Sequence, residues 1–165
     1  MTQEEISTFT RRIVNSNKTE LIVVLYDIFL VRIEDGRKAM LAFEESHLAE
    51  DEKNMRSSFR KASEVLRQLM NDLDFRYEIS GNLYSLYDYC MRCLAKLSYD
   101  RNVEHIEAAR KVMTELRVAF KGVADADDSA PVMQHAQQIS AGYTYGKHSL
   151  NVTEDGFDGN RGFLA

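Results

Sequence analysis

The stretch "MRSSFRKASEVLRQLMNDL", residues 55–73, decides the fold. Its apolar side chains recur at alternating intervals of four and three residues, from Met55 to Leu73. That spacing places them on one face of an α-helix, as in the seam of a helical bundle. We expect this helix to run from about Asp51 to Asp72. The seam consists of Met55, Phe59, Ala62, Leu66, Leu69 and Leu73.

Three further stretches with a helical period flank this one. They run from about Thr19 to Ser46, from Phe75 to Ser98 and from Asn102 to Lys121. The joining segments are short and polar, which makes neighbouring helices antiparallel. The chain has one proline, and only two of its eight glycines precede residue 122, which favours long helices over many short strands joined by turns. The sequence predicts an all-α fold, an antiparallel up-down-up-down four-helix bundle over residues 19–121.

The two ends of the chain have a different character. Residues 1–18 are predicted to form an N-terminal arm, in which Ile6, Phe9 and Ile13 would share one face of a helix. Residues 122–165 hold six of the eight glycines and the proline. They are predicted to form a linker and a flexible C-terminal tail, and "VMQHAQQIS" is compatible with a short extra helix.

Composition narrows the class of protein. The net charge is −5 with both signs interspersed, which argues against a nucleic-acid partner, because that partner needs a basic face. The most apolar run, Leu21–Ile33, contains Asp27 and Arg32 and is too short to span a bilayer. The first ten residues are polar and do not resemble a secretory signal. We therefore predict a cytoplasmic protein without membrane insertion.

Residues that could carry chemistry are few. A di-metal site in a bundle needs two Glu-x-x-His pairs, and the chain has one, Glu44 with His47. Cys90 and Cys93 form a C-x-x-C, but they lie in mid-helix and not at the helix N-terminus that lowers a thiol pKa. Cys90 is expected in the core. We predict no catalytic residue, no metal and no cofactor.

The third predicted helix has more apolar surface than one packed face needs. "YEISGNLYSLYDYCMRC", Tyr77–Cys93, holds four of the eight tyrosines. One stripe fits the core, and a second stripe, spaced by seven, consists of Tyr77, Tyr84 and Met91. Gly81 adds a site where another backbone can approach this helix closely. The extra rings either pack against the arm or tail, or form a groove for a partner's amphipathic helix. The expected core stripe is Ile79, Leu83, Leu86, Tyr87, Cys90, Leu94 and Leu97.

Three segments carry a resemblance to a known family. "LDFRYEISGNLYSLYDY" resembles the signature of the flagellar export chaperone family, the FliS type, which has a Leu-Asp pair and then Asn-Leu-x-x-Leu-Tyr-x-Tyr. "NKTELIVVLYD" and "VMTELRVAF" resemble the opening and closing helices of that family, with Phe120 where tryptophan is frequent. The resemblance covers about residues 13–121. The matching signature residues are Leu73, Asp74, Asn82, Leu83, Leu86, Tyr87, Asp88 and Tyr89.

The resemblance implies a cytoplasmic secretion chaperone without enzymatic activity. Such a chaperone binds the disordered C-terminal segment of flagellin, prevents premature polymerisation and passes flagellin to the flagellar export machinery. In the family the N-terminal arm can occupy part of the binding surface. We expect a monomer or weak homodimer that binds flagellin across the second and third predicted helices. The expected contact residues are Tyr77, Asn82, Tyr84 and Met91, with Leu25 and Tyr26 from the opening helix.

Two other functions remain compatible with the residues alone. The first is a structural helical bundle that self-associates through the tyrosine-rich helix. The second is a bundle enzyme that holds a metal. The size of the isolated protein distinguishes the first from a chaperone, and elemental analysis tests the second.

Overall fold

The computed structural model describes residues 1–133, and within that span every regular element is helical. The helices are α1 (Gln3–Asn15), α2 (Lys18–Ser46), α3 (Ala49–Asn71), α4 (Ile79–Asp100) and α5 (Val103–Ala124). The helix α2 contacts α3 and α5, and α4 contacts the same two helices, so the four form a closed ring. The predicted all-α bundle is confirmed. No helix of residues 1–133 is both long and apolar enough to cross a membrane.

The first bundle helix, α2, begins with a reciprocal cap. The Asn17 side chain accepts a hydrogen bond from the Glu20 backbone N–H at 2.8 Å, and the Glu20 carboxylate accepts one from the Asn17 N–H at 2.8 Å. Two backbone donors that the first turn leaves free are thereby satisfied. This capping box fixes the start of α2 at Lys18, one residue before the predicted position.

The core lies along the axis of the ring. The seam predicted for α3 is confirmed, because Met55, Ala62, Leu66 and Leu69 are buried. Phe59 and Leu73 are partly buried and pack against the same core. The largest completely enclosed side chains come from α2, α3, α4 and α5: Tyr26, Phe29, Ile33, Met40, Leu66, Tyr87, Cys90, Ile106 and Met113.

The close approach between helices occurs at Gly36 and not at Gly81. A Cβ atom built on Gly36 would lie 2.7 Å from Cδ1 and 2.9 Å from Cζ of the Phe59 ring. A Cβ atom on Gly81 would meet nothing within 4 Å. Within residues 1–133 no other backbone lies against Gly81, and the space beside this glycine is open. Gly36 is the residue that lets an aromatic ring of α3 lie directly on α2.

The helix α4 begins four residues later than Phe75, its predicted start. The Asp74 carboxylate accepts the Arg76 backbone N–H at 3.1 Å, and the Asp74 carbonyl accepts the Ser80 hydroxyl at 2.7 Å. These local bonds hold residues 72–78 as turns, because an aspartate side chain competes with helical bonding.

The core stripe of α4 is largely as predicted. Leu83, Tyr87, Cys90, Leu94 and Leu97 are buried. Ile79 and Leu86 are exposed, so their assignment to the core is wrong. Ile79 is the first residue of α4, where the chain has only just left the turn.

The N-terminal arm forms the helix α1 and packs on α2. Phe9 is buried, whereas Ile6 is exposed and Ile13 is half-buried. The Arg12 guanidinium donates to the Asp27 carboxylate at 2.6 Å, and Arg117 of α5 binds the other oxygen of Asp27. One carboxylate of α2 therefore links α1 to α5.

The segment after α5 returns to the junction between α1 and α2. The helix continues three residues past the predicted end at Lys121. The Asp127 carbonyl accepts the Asn17 amide at 2.9 Å, and the Thr19 hydroxyl donates to the Asp127 carboxylate at 2.6 Å. The pKa of the Asp127 carboxyl is lowered, first by this bond from Thr19. The short extra helix and tail predicted farther on lie outside the described residues.

Candidate partner-binding site

An open groove runs between α3 and α4. Its volume is about 470 Å³, and side chains of both helices line it. The floor is apolar and the rim carries arginine and serine. A concave apolar surface with a polar rim is the usual form of a site for an amphipathic helix. The floor consists of Met55, Phe59, Met91, Leu94, Ala95 and Leu97, and the rim of Arg56, Arg60, Ser63, Arg67, Ser98 and Arg101.

Two exposed aromatic rings lie on and before the first part of α4. Phe75 is 64% exposed and Tyr84 is 44% exposed, with their ring centroids 6.0 Å apart. Tyr84 precedes Met91 by seven residues, or about two helical turns, so both lie on the same side of α4. Because Met91 lines the groove, the ring of Tyr84 lies on the groove side of α4, about 10 Å along the helix from Met91. Contiguous exposed apolar patches are frequent at interaction surfaces of proteins.

The structure separates the residues of the predicted tyrosine stripe. Met91 lines the groove and Tyr84 shares its side of α4. Tyr77 is exposed but lies in the turn before α4, so it is not part of a helical stripe. Asn82 is exposed two residues before Tyr84, about 200° around the helix, and faces away from the groove. Tyr84 and Met91 therefore lie on the groove side of α4, whereas Asn82 lies on the opposite side of this helix.

The two residues predicted on the opening helix lie away from the groove. Tyr26 is completely buried, and its hydroxyl lies 2.6 Å from the hydroxyl of Tyr87. Burial raises the pKa of both phenols. Because a partner cannot reach an enclosed side chain, Tyr26 is a core residue in this structure. Leu25 is half-buried against the core, and no residue of α2 lines the groove.

The two residue pairs that the sequence offered for chemistry are the two cysteines and the Glu44–His47 pair. Cys90 and Cys93 are buried free thiols, and burial raises the pKa of Cys90 to about 12. Such a thiol is a poor nucleophile, because the thiolate is the reactive form. Glu44 and His47 are exposed at the end of α2, and no group of three potential metal ligands occurs in the described part of the chain.

Sequence reasoning missed the arginine rim and Phe75. Arg56, Arg60 and Arg67 are spaced by four and seven residues, so they share one face of α3. That face lies beside the apolar seam, and the spacing was readable from the sequence. Phe75 was assigned to the start of a helix, because the turn formed by Asp74 has no strong sequence signature.

The fold and the groove together indicate a general class of protein. The described residues form a helical bundle with an exposed apolar groove between two of its helices, a form that is found in proteins that bind an amphipathic helix.

A comparison with known protein families identifies the family to which this chain belongs. The chain matches the family described as "Flagellar protein FliS" over residues 3–127, so it belongs to that family of flagellar chaperones. No curated protein matches the chain. The match includes α1 and the first residues of the segment that follows α5.

Proposed function

We propose that this protein is a cytoplasmic flagellar secretion chaperone. It binds the disordered C-terminal segment of flagellin, prevents premature polymerisation and passes flagellin to the flagellar export machinery. Family membership supports the flagellar chaperone role. The groove between α3 and α4, with Met91 on its floor and Tyr84 beside it, is the observation that carries the choice of binding surface.

The groove is suited to a segment that orders as it binds. Ordering a disordered segment costs several kcal/mol, about 2–5 in typical cases, and burial of a wide apolar surface must offset that cost. The groove floor supplies methionine, phenylalanine and leucine side chains, and Tyr84, with Phe75 against it, offers a further exposed ring on the same side of α4. Methionine adapts to irregular apolar surfaces, which suits a chaperone groove.

Tyr84→Ala tests this assignment. Truncation of an anchoring tyrosine costs about 2 kcal/mol of binding free energy, or about thirtyfold in Kd. The melting temperature should change little, because Tyr84 is 44% exposed. Calorimetric titration with a peptide of the C-terminal flagellin segment measures the effect.

Tyr89→Ala is the matched control. Tyr89 is on the same helix and is 43% exposed, but it lies five residues from Tyr84, about 140° around α4. The control should bind the peptide like the parent. Equal losses for both variants, or no loss for Tyr84→Ala, would remove the groove from the proposal.

The alternative of a self-associating structural bundle uses the same exposed rings. It predicts a concentration-dependent dimer that Tyr84→Ala dissociates, and no binding of the flagellin peptide. Light scattering coupled to size-exclusion chromatography distinguishes the two functions.

A further inference from the structure

The charge of the groove is opposite to the charge of the chain. The chain has 21 basic and 26 acidic residues, a net charge of −5. The groove lining contains four arginines and no aspartate or glutamate. Glu52 pairs with Arg56 and Arg101, and Glu64 pairs with Arg60, so the four arginines outnumber the two carboxylates that touch them. A local excess of positive charge on an acidic protein creates a field that favours an acidic partner at this one surface.

The arginines of α3 form a row along the groove. Arg56, Arg60 and Arg67 are separated by four and seven residues, which places them within about 40° of one another around the helix axis. The row is about 16 Å long at a rise of 1.5 Å per residue. Ser63 lies in the same row and also lines the groove. A partner helix laid in the groove would run beside this row for about three turns.

Arg101 closes the row at the far end of α4. It is the C-cap of α4 and has a left-handed backbone conformation with φ of 51°. Its guanidinium lies 4.7 Å from the centroid of the Phe43 ring and 3.6 Å from the Glu52 carboxylate. These contacts from neighbouring elements orient the guanidinium. Arg101 is therefore a positioned cation at the end of the groove and not a freely moving one.

The ion pairs that the groove arginines already make are weak enough to be exchanged for pairs with a ligand. Arg56 binds Glu52 at 2.8 Å and Arg60 binds Glu64 at 3.0 Å, and both arginines are well exposed. Exposed pairs at this spacing contribute only about 0.3–0.5 kcal/mol, so a partner carboxylate can compete for these arginines. Within residues 1–133, Arg67 makes no ion pair. Arginine is well suited to bind carboxylates with two parallel hydrogen bonds.

We propose that the groove selects an amphipathic segment that carries acidic side chains along one edge of its apolar stripe. The apolar stripe contacts the floor, and carboxylates on the edge nearest α3 bind Arg56, Arg60 and Arg67. This inference rests on the proposed function, in which the occupant is the C-terminal segment of flagellin. The arginine row sets the orientation of the segment, because reversing it would place its carboxylates away from α3.

Arg67→Glu tests the charge selection. A peptide of the C-terminal flagellin segment is titrated into the full chain at about 50 mM and about 500 mM salt, which changes the screening length from roughly 14 Å to roughly 4 Å. We expect the parent to bind at least fivefold more weakly at high salt. We expect Arg67→Glu to bind about tenfold more weakly at low salt and to lose most of the salt dependence. Arg67→Lys should retain part of the affinity.

Arg92→Glu is the control for net charge. Arg92 lies on α4, pairs with Asp88 and does not line the groove, so its variant makes the same charge change away from the site. It should leave peptide binding within twofold of the parent. Thermal unfolding checks that both variants fold.

The outcomes distinguish this inference from the function on which it rests. Failure of the parent chain to bind the peptide would overturn both. Tight binding that is independent of salt and unchanged by Arg67→Glu would overturn the charge selection and keep the flagellin assignment. Equal weakening by Arg67→Glu and Arg92→Glu would show an effect of net charge alone and would also overturn it.

Discussion

Replacing Gly36 with alanine tests the closest contact between α2 and α3. The new Cβ atom would lie 2.7 Å from Cδ1 and 2.9 Å from Cζ of Phe59, and closer still to Cε1. Real Cβ atoms do not approach neighbours this closely, so the ring must move. Phe59 is half-buried and lines the groove, which offers free space on that side. We expect the ring to move toward the groove.

Two effects of opposite sign determine the stability of the Gly36→Ala variant. Overpacking of a fitted interface costs about 1–3 kcal/mol. Alanine is favoured over glycine in a helix interior by about 1 kcal/mol. We therefore expect a net loss of about 1 kcal/mol, or roughly 3–5 °C in melting temperature for a domain of this size. Because the displaced ring narrows the groove, the variant should also bind the flagellin peptide more weakly than its stability change explains.

A double-mutant cycle separates the two effects on stability. Urea unfolding is measured for the parent, Gly36→Ala, Phe59→Ala and the double variant. Without the ring no steric cost remains, so adding Gly36→Ala to Phe59→Ala should stabilise the protein by about 1 kcal/mol. The same substitution thus has opposite signs in the two backgrounds. Stabilisation by Gly36→Ala in the presence of Phe59 would refute the argument.

Two further predictions concern the polar contacts of α2. Tyr26→Phe leaves the buried Tyr87 hydroxyl without its partner at 2.6 Å and should cost about 1–3 kcal/mol. The double phenylalanine variant should recover most of that loss, whereas additive losses in urea unfolding would contradict the pairing. Asp27→Asn removes the charge that Arg12 and Arg117 share, so the amides of α1 should exchange hydrogen faster while those of α3 do not change. Unchanged exchange in α1 would show that the ion pair does not hold this helix.

The sequence predicts the bundle well because its core repeats. The seam of α3 alternates between four and three residues, and no other regular structure buries that pattern on one face. Short polar links then determine which helices are neighbours. The buried stripe of α4 from Leu83 to Leu97 follows from the same period. These features depend only on separations along the chain, which a sequence shows directly.

The candidate site was less predictable because it depends on contacts between distant residues. Tyr26 and Leu25 were expected at the binding surface, yet the Tyr26 hydroxyl pairs with Tyr87, 61 positions away. The residues adjacent to a tyrosine in the sequence do not show whether its hydroxyl is hydrated or bonded to a buried partner. Tyr77 was placed on a helix because the turn before α4 arises from Asp74, whose carbonyl binds Ser80 across six residues.

The dimensions of the groove depend on a residue that does not line it. Phe59 can lie against α2 only because Gly36 has no side chain there, and this position keeps the ring at the floor of the groove. A larger residue at that position would turn the same ring outward and fill the space that a partner helix needs. Sequence patterns that are typical of binding surfaces therefore indicate Tyr84 and Met91. They do not indicate Gly36, which lies beneath Phe59. The capacity to bind is set in part by core packing, so substitutions buried between α2 and α3 are expected to change affinity without touching the partner.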